Sequence, residues 1–125
     1  MTNLKENQLP GDVAHSLLAP PHRMTQLRSV KIASVAYQKA AVLLLFYPNA
    51  KGDVRFILTR CKVYEGAHSG QISFPGGKPE PSDGDLWNTA LRETHEEVGV
   101  SSEKVIYIRS LSELYVPPSN FLIVP

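Results

Sequence analysis

The sequence predicts an α/β domain, and three observations carry that expectation. Short apolar runs bounded by Pro, Gly and Asn have the length of strands. One segment among them, from Asp85 to Val98, spaces its apolar residues for a helix. Gly76-Gly77 ahead of that segment and Gly99 behind it are a turn and a stop signal. With 125 residues, 42% of them apolar, the chain suits one soluble globular domain.

In chain order, residues 1–30 form an N-terminal arm. Within it Asp12–Leu18 suits a short helix, stopped by Pro20 and Pro21 because proline lacks an N–H and clashes with the preceding turn. Residues 31–125 form the domain proper. Ala40–Tyr47 is a continuous apolar run, as expected of a strand covered on both faces. Pro48–Asp53 is rich in turn residues. Val54–Thr59 is a second strand, with Phe56 and Leu58 on one face and Arg55 and Ile57 on the other, so the pair reads as a hairpin. Residues 60–70 are a loop, Gln71–Phe74 is a short strand, and Pro75-Gly76-Gly77 ends it. Lys78–Gly84 is a polar loop, and Ser82, Asp83 and Asp85 are the candidate helix N-caps. Beyond the helix, Val105–Val116 carries one or two strands bent around Arg109–Ser112. Pro117–Asn120 is a break, and Phe121–Val124 begins another apolar strand. That strand either pairs at a sheet edge or belongs to a sheet completed in a longer protein.

The formal charge of +1, with Lys and Arg scattered, argues against a nucleic-acid partner. The longest apolar run is far shorter than the roughly 20 residues that span a bilayer, so no membrane partner is expected. The start of the chain lacks the apolar core of a signal peptide. The single cysteine, Cys61, excludes an internal disulfide and makes a reducing, cytoplasmic setting the default. No Walker A motif is present, and Ser69-Gly70 lacks the G-x-S-x-G of a nucleophile elbow.

The chemistry concentrates on the helix. At about 100° per residue, Leu86, Trp87, Ala90, Leu91, Thr94 and Val98 share one side, and Glu93, Glu96 and Glu97 cluster on a neighbouring arc. Carboxylates there repel one another and the negative end of the helix dipole, so they call for a positive partner. Glu97 projects almost between Leu86 and Ala90 and should be partly covered by the sheet, which is costly for a carboxylate unless paired or metal-bound. Arg92, one turn before Glu96, is placed to hold it in a bidentate pair. Gly76 and Gly77 permit a backbone path that brings carbonyls toward the helix. A hard cation such as Mg²⁺ takes oxygen ligands of this kind. His95 points away from the carboxylates, and Trp87 belongs to the apolar side.

Arg92-Glu93-Thr94-His95-Glu96-Glu97-Val98-Gly99-Val100 resembles the core of the Nudix box, REUxEExGU with U apolar, and Thr94 departs at one U position. The common box spaces its glycine and upstream acid one residue closer to the arginine than Gly77 and Asp83 lie here. The longer spacing is similar to the coenzyme A pyrophosphatase-like branch, as are Leu58-Thr59, His68, Gly70-Gln71, Phe74-Pro75-Gly76-Gly77, the acids Glu80 and Asp83, and Ala90-Leu91-Arg92-Glu93. That branch carries basic residues where this chain has Cys61 and Gly66, with Arg60 and Lys62 flanking the first.

The resemblance implies a Nudix-type α/β/α sandwich with a mixed β-sheet, incomplete here at its C-terminal end. It implies metal-dependent hydrolysis of a nucleoside diphosphate joined to another moiety, coenzyme A or a related nucleotide among the candidates, with Mg²⁺ or Mn²⁺ as cofactor. Glu96, Glu97 and the Gly77 carbonyl are the expected metal ligands. Glu93 is a further ligand or the base that takes the proton of the attacking water, and Arg92 orients the glutamates. Arg60, Lys62 and His68 are the expected substrate contacts. Two other classes compete: a nucleotide-binding module that does not turn over, and an interaction fragment whose unfinished sheet edge favours a homodimer.

Overall fold

The computed structural model describes residues 7–21, 36–60 and 70–125, which divide into two compact units. Cys61, Lys62, Gly66 and His68 lie outside the described residues. One unit comprises the described residues up to Lys39 together with Tyr107–Pro125; the other is Ala40–Ile106. Among the described residues no helix is long and apolar enough to cross a membrane.

In the first unit, α1 spans Gly11–Leu18, close to the expected helix. Of the strands expected over Val105–Val116, only β7, Leu114–Val116, is present. It pairs antiparallel with β8, Phe121–Val124, with Tyr115 opposite Leu122, and both of those side chains are buried. Pro117–Ser119 makes a single 3-10 turn between the strands. Asn120 then takes a left-handed conformation (φ 54°), which asparagine tolerates because its short amide bonds locally. Its side chain accepts from the Tyr115 hydroxyl at 2.9 Å and donates to the Ala36 carbonyl at 2.8 Å.

The second unit holds the hairpin and the long helix. Strand β1 runs Gln38–Val42 and β2 runs Phe46–Pro48, so the apolar run 40–47 is not one continuous strand. Nor is it covered on both faces throughout. Ala41 and Leu43 are buried, whereas Phe46 and Tyr47 remain about half exposed. The hairpin is as expected: β2 pairs with β3, Val54–Phe56, placing Phe46 opposite Phe56 with their rings edge to face. Its turn is held by Asn49, whose side-chain oxygen accepts from the Lys51 and Asp53 N–H groups, each at 2.9 Å.

The expected strand 54–59 breaks after Phe56, and Thr59–Arg60 forms a separate β4 paired with β5, Ile72–Ser73. The larger departure is at Gly76–Gly77. The pair does not end a strand; it is a strand, β6, antiparallel to β1 with Gly76 opposite Val42 and Gly77 opposite Ala41. A β-carbon on Gly76 would meet the Ala41 carbonyl oxygen and the Val42 Cα, so only glycine lets these backbones come so close.

Helix α2, Leu86–Val98, lies within the expected limits. Asp85 is its N-cap, its carboxylate accepting from the Asn88 N–H at 2.8 Å, and Gly99 ends it in the left-handed conformation at φ 72°. Ala90 packs with Ala41 and Leu43, and Leu45, Leu86, Trp87, Leu91 and Val105 surround them. Full burial of a leucine contributes roughly 1.5–3 kcal/mol, a range that Leu43 approaches and the partly buried Leu45, Leu86 and Leu91 fall below. Trp87 is thus a core residue, as its place on the apolar side implies. This packing presses one side of α2 against β6 and the strands beside it and leaves the acidic arc at the margin.

Candidate functional site

The site is built where α2 passes β6. Gly77 lies against Glu93 so closely that a β-carbon there would overlap the Glu93 carboxylate. The helix presents Glu96 and Glu97 one turn further on, both exposed. Although exposed overall, Glu97 has its carboxylate partly covered by sheet residues, as its angular position implies, with the Gly76 N–H and the Thr59 hydroxyl beside it. Partial desolvation raises the Glu97 pKa above its ordinary value. Repulsion from Glu93 and Glu96 adds to that rise, and the two hydrogen bonds oppose it.

Arg92 is the hub, and its best partner is Asp83, which the helix pattern had offered only as a cap. The guanidinium fork grips Asp83, with Nε donating to Oδ1 at 2.9 Å and Nη2 to Oδ2 at 3.2 Å. Asp83 also accepts from the Glu80 N–H at 2.8 Å and from the Thr89 hydroxyl at 2.9 Å. Its side chain is only 4% exposed, and these contacts, Arg92 first, hold its carboxyl well below the usual carboxylate range. Arg92 is correspondingly raised, chiefly by Asp83. Nη2 also donates to the Lys78 carbonyl at 3.0 Å.

The expected bidentate pair with Glu96 is replaced by something looser. Only Nη1 faces that residue, at 3.3 and 3.4 Å from its two oxygens, and the same nitrogen lies 3.1 Å from Glu93 and 3.9 Å from Glu80. The physical reason is competition: the fork satisfies the buried carboxylate first, because an unpaired charge there costs most. Sequence spacing gave no role to Asp83 or Thr89 in holding Arg92, since the contact folds back across the Gly84 turn. The one signal is that Asp83 is the second of the two spaced acids.

The donors fit a hard divalent cation by chemistry: three carboxylates and a nearby backbone carbonyl are all oxygen ligands. The gap left by the absent Gly77 side chain is filled by the Glu93 carboxylate. Their present arrangement is not a closed cage. Among the described residues no three His, Cys, Asp or Glu side chains gather around one point, because Arg92 draws Glu93 and Glu96 to itself. Of the expected substrate contacts, Arg60 is exposed on β4, and Lys62 and His68 fall on the undescribed segment between β4 and β5. His95 is exposed, in an open depression lined also by Asn88, Leu91, Arg92, Ser101 and Ser102.

Comparison with known proteins matches residues 36–123 to the model of the NUDIX domain. Over 74 residues the chain is 42% identical to "Nudix hydrolase 15, mitochondrial" of Arabidopsis thaliana, a stretch covering 59% of this chain and 26% of the relative. It is 34% identical over 100 residues to a probable Nudix hydrolase of Schizosaccharomyces pombe, covering 78% of this chain and 30% of that protein. An uncharacterized Nudix hydrolase of Yersinia pestis is 37% identical over 81 residues, covering 65% and 40% respectively. The matched region thus spans well under half the length of these relatives. A crystal structure of a MutT/Nudix family protein from Enterococcus faecalis superposes with a TM-score of 0.51 at 16% identity, over 93% of this chain and 46% of that one, a likeness of fold.

Proposed function

This chain belongs to the Nudix family, and we propose that it contributes the catalytic helix of a divalent-cation-dependent pyrophosphohydrolase acting on nucleoside diphosphate derivatives. Coenzyme A or a related nucleotide is the finer proposal for the substrate. The observation that carries the proposal is the acidic arc of α2 set against a glycine strand, with Glu93 fitted into the space beside Gly77. An acidic surface with no ligand to hold has no need of that close approach.

Divalent cations are general to the family, and Mg²⁺ or Mn²⁺ is proposed here. What such an ion supplies when bound is neutralisation of the pyrophosphate charge and a water acidic enough to be deprotonated near neutral pH. Glu96, Glu97 and the Gly77 carbonyl would hold it. Glu93 either joins them or accepts the proton of the attacking water. The Gly76 N–H and the Thr59 hydroxyl orient Glu97, and Arg92 orients Glu93 and Glu96. Arg60, Lys62 and His68 are proposed to meet the substrate phosphates.

The test is hydrolysis of a panel of nucleotide pyrophosphates, coenzyme A included, with and without Mg²⁺ or Mn²⁺. The wild-type chain is expected to turn over only with the ion, and Glu97→Gln to lose at least about 100-fold. Wild-type rates in the variant would remove Glu97 from the mechanism. Nucleotide binding without turnover in the wild type would make the chain a binding module instead.

A further inference from the structure

Hairpin β2–β3 leaves one of its edges open to a further strand. The Ile57 N–H donates to the Leu45 carbonyl and the Asn49 N–H to the Asp53 carbonyl, so Tyr47 and Arg55, midway between, are also a hydrogen-bonded pair. The alternate pairs, Phe46 with Phe56 and Pro48 with Val54, therefore turn their backbone polar groups outward. On the β2 side Pro48 has no N–H to offer, which blunts that edge. On the β3 side Val54 and Phe56 keep both groups, and among the described residues no third strand joins this sheet. Their side chains are 67% and 52% exposed. Asp53 and Arg55 point to the opposite face of the strand. They are exposed and lie 3.9 Å apart, a loose pair, and Asp53 also accepts from the Asn49 amide at 2.9 Å.

We propose that the open edge of β3 is a self-association surface, occupied by β3 of a second copy of this chain, antiparallel about a two-fold axis at Val54. Symmetry narrows the choice of register. Outward-facing residues must meet outward-facing ones, so the axis falls on a residue of β3 and not between two. An axis at Arg55 sets two arginines directly opposite, which is destabilising. An axis at Phe56 sets Arg55 against Ile57 and Asp53 against Thr59, so no charge meets its opposite. An axis at Val54 sets each Arg55 against the partner's Asp53, in pairs of the closely spaced kind with Cα atoms about 4.5 Å apart. Val54 then meets its own copy. Each Phe56 faces the partner's Gly52, where no side chain stands and the surrounding space is open. Charge, apolar contact and room for the ring select the same register. None of these residues belongs to the acidic arc of α2, so the surface stands whether or not that arc holds a cation.

The experiment is sedimentation equilibrium of the full chain from micromolar to millimolar concentration, without metal or nucleotide, with thermal melts to confirm that each variant folds. The wild type is expected to approach twice the monomer mass and no more, and added salt to weaken its association. Asp53→Arg gives a strand with two arginines and Arg55→Asp a strand with two acids. Each alone is expected to associate about tenfold more weakly or worse, because two favourable pairs become repulsive ones. Mixed in equal amounts, the two variants set arginine against acid in both pairs, so the mixture should return to the wild-type mass. A bracing role within one hairpin gives no such rescue. Val54→Pro removes an N–H that points away from β2, so it is expected to fold and to stay monomeric. A wild type that remains monomeric at millimolar concentration, or that grows beyond a dimer, would overturn the inference. So would a mixture that associates no better than its components, or a folded Val54→Pro that associates like the wild type.

Discussion

Gly77 and Glu93 occupy one another's space: a β-carbon on the first would overlap the carboxylate of the second. Gly76, its neighbour, is tight for a different reason, since a β-carbon there would meet the Ala41 carbonyl oxygen and the Val42 Cα of β1. One glycine is required by a movable side chain and the other by fixed backbone, and the two should therefore fail differently. Gly77→Ala is expected to fold, with Glu93 pushed aside and hydrolysis reduced on the order of 100-fold, the usual consequence of a misplacement near 1 Å. Gly76→Ala is expected to lose about 3 kcal/mol or more of stability through backbone displacement and its φ of 155°. Urea unfolding beside a steady-state assay separates them. Equal destabilisation by the two substitutions would show that Glu93 cannot yield.

The contrast bears on what the sequence could reveal. Helix α2 was legible because its signals are local: Asp85 caps it, Gly99 ends it, and the apolar spacing between them has one period. The Nudix motif, confined to the same short stretch, was legible for the same reason. Gly76–Gly77 reads as a turn in sequence because glycine pairs usually are turns, and the segment that makes them β structure, Ala41–Val42, lies far back in the chain. The role of Asp83 was hidden in a similar way. A carboxylate near a helix start is by default a cap, and only the folded loop shows it turned toward Arg92. The run 40–47 misled through composition: Leu43 and Leu45 face the helix, yet Phe46 and Tyr47 meet water.

Thr94 breaks a local rule without evident compensation. It is fully buried on the apolar side of α2, and among the described residues its hydroxyl has no hydrogen-bond partner. An orphaned buried hydroxyl costs about 1–3 kcal/mol relative to an apolar group of the same shape. Thr94→Val retains the β-branch and the volume, so it is expected to raise stability by about 1 kcal/mol. The denaturant midpoint should increase with an unchanged slope. A lower midpoint would mean that the hydroxyl meets a partner, such as an ordered water, in solution.

Glu97 should show the opposite balance between stability and function. Partial desolvation and the repulsion from Glu93 and Glu96 raise its pKa above the ordinary glutamate value, against the help of the Gly76 N–H and the Thr59 hydroxyl. A carboxyl whose pKa is raised by folding holds its proton more tightly in the folded state than in the unfolded one. Stability therefore falls as pH rises through the window between the ordinary and raised values, and the cost persists at neutral pH. Glu97→Gln removes that cost. Without metal at pH 7 the variant is expected to melt higher than the wild type, by less than about 1 kcal/mol because the exposed carboxylate is screened by water. The advantage should vanish below about pH 4, where glutamate is protonated in either state. Saturating Mn²⁺ should reverse the order at pH 7, since an ion that binds only the folded wild type stabilises it by mass action. Melts at both pH values, with and without Mn²⁺, check all three expectations. A variant that melts lower at pH 7 without the ion would mean that Gly76 and Thr59 already satisfy the carboxylate, leaving no electrostatic reason for it to seek a cation.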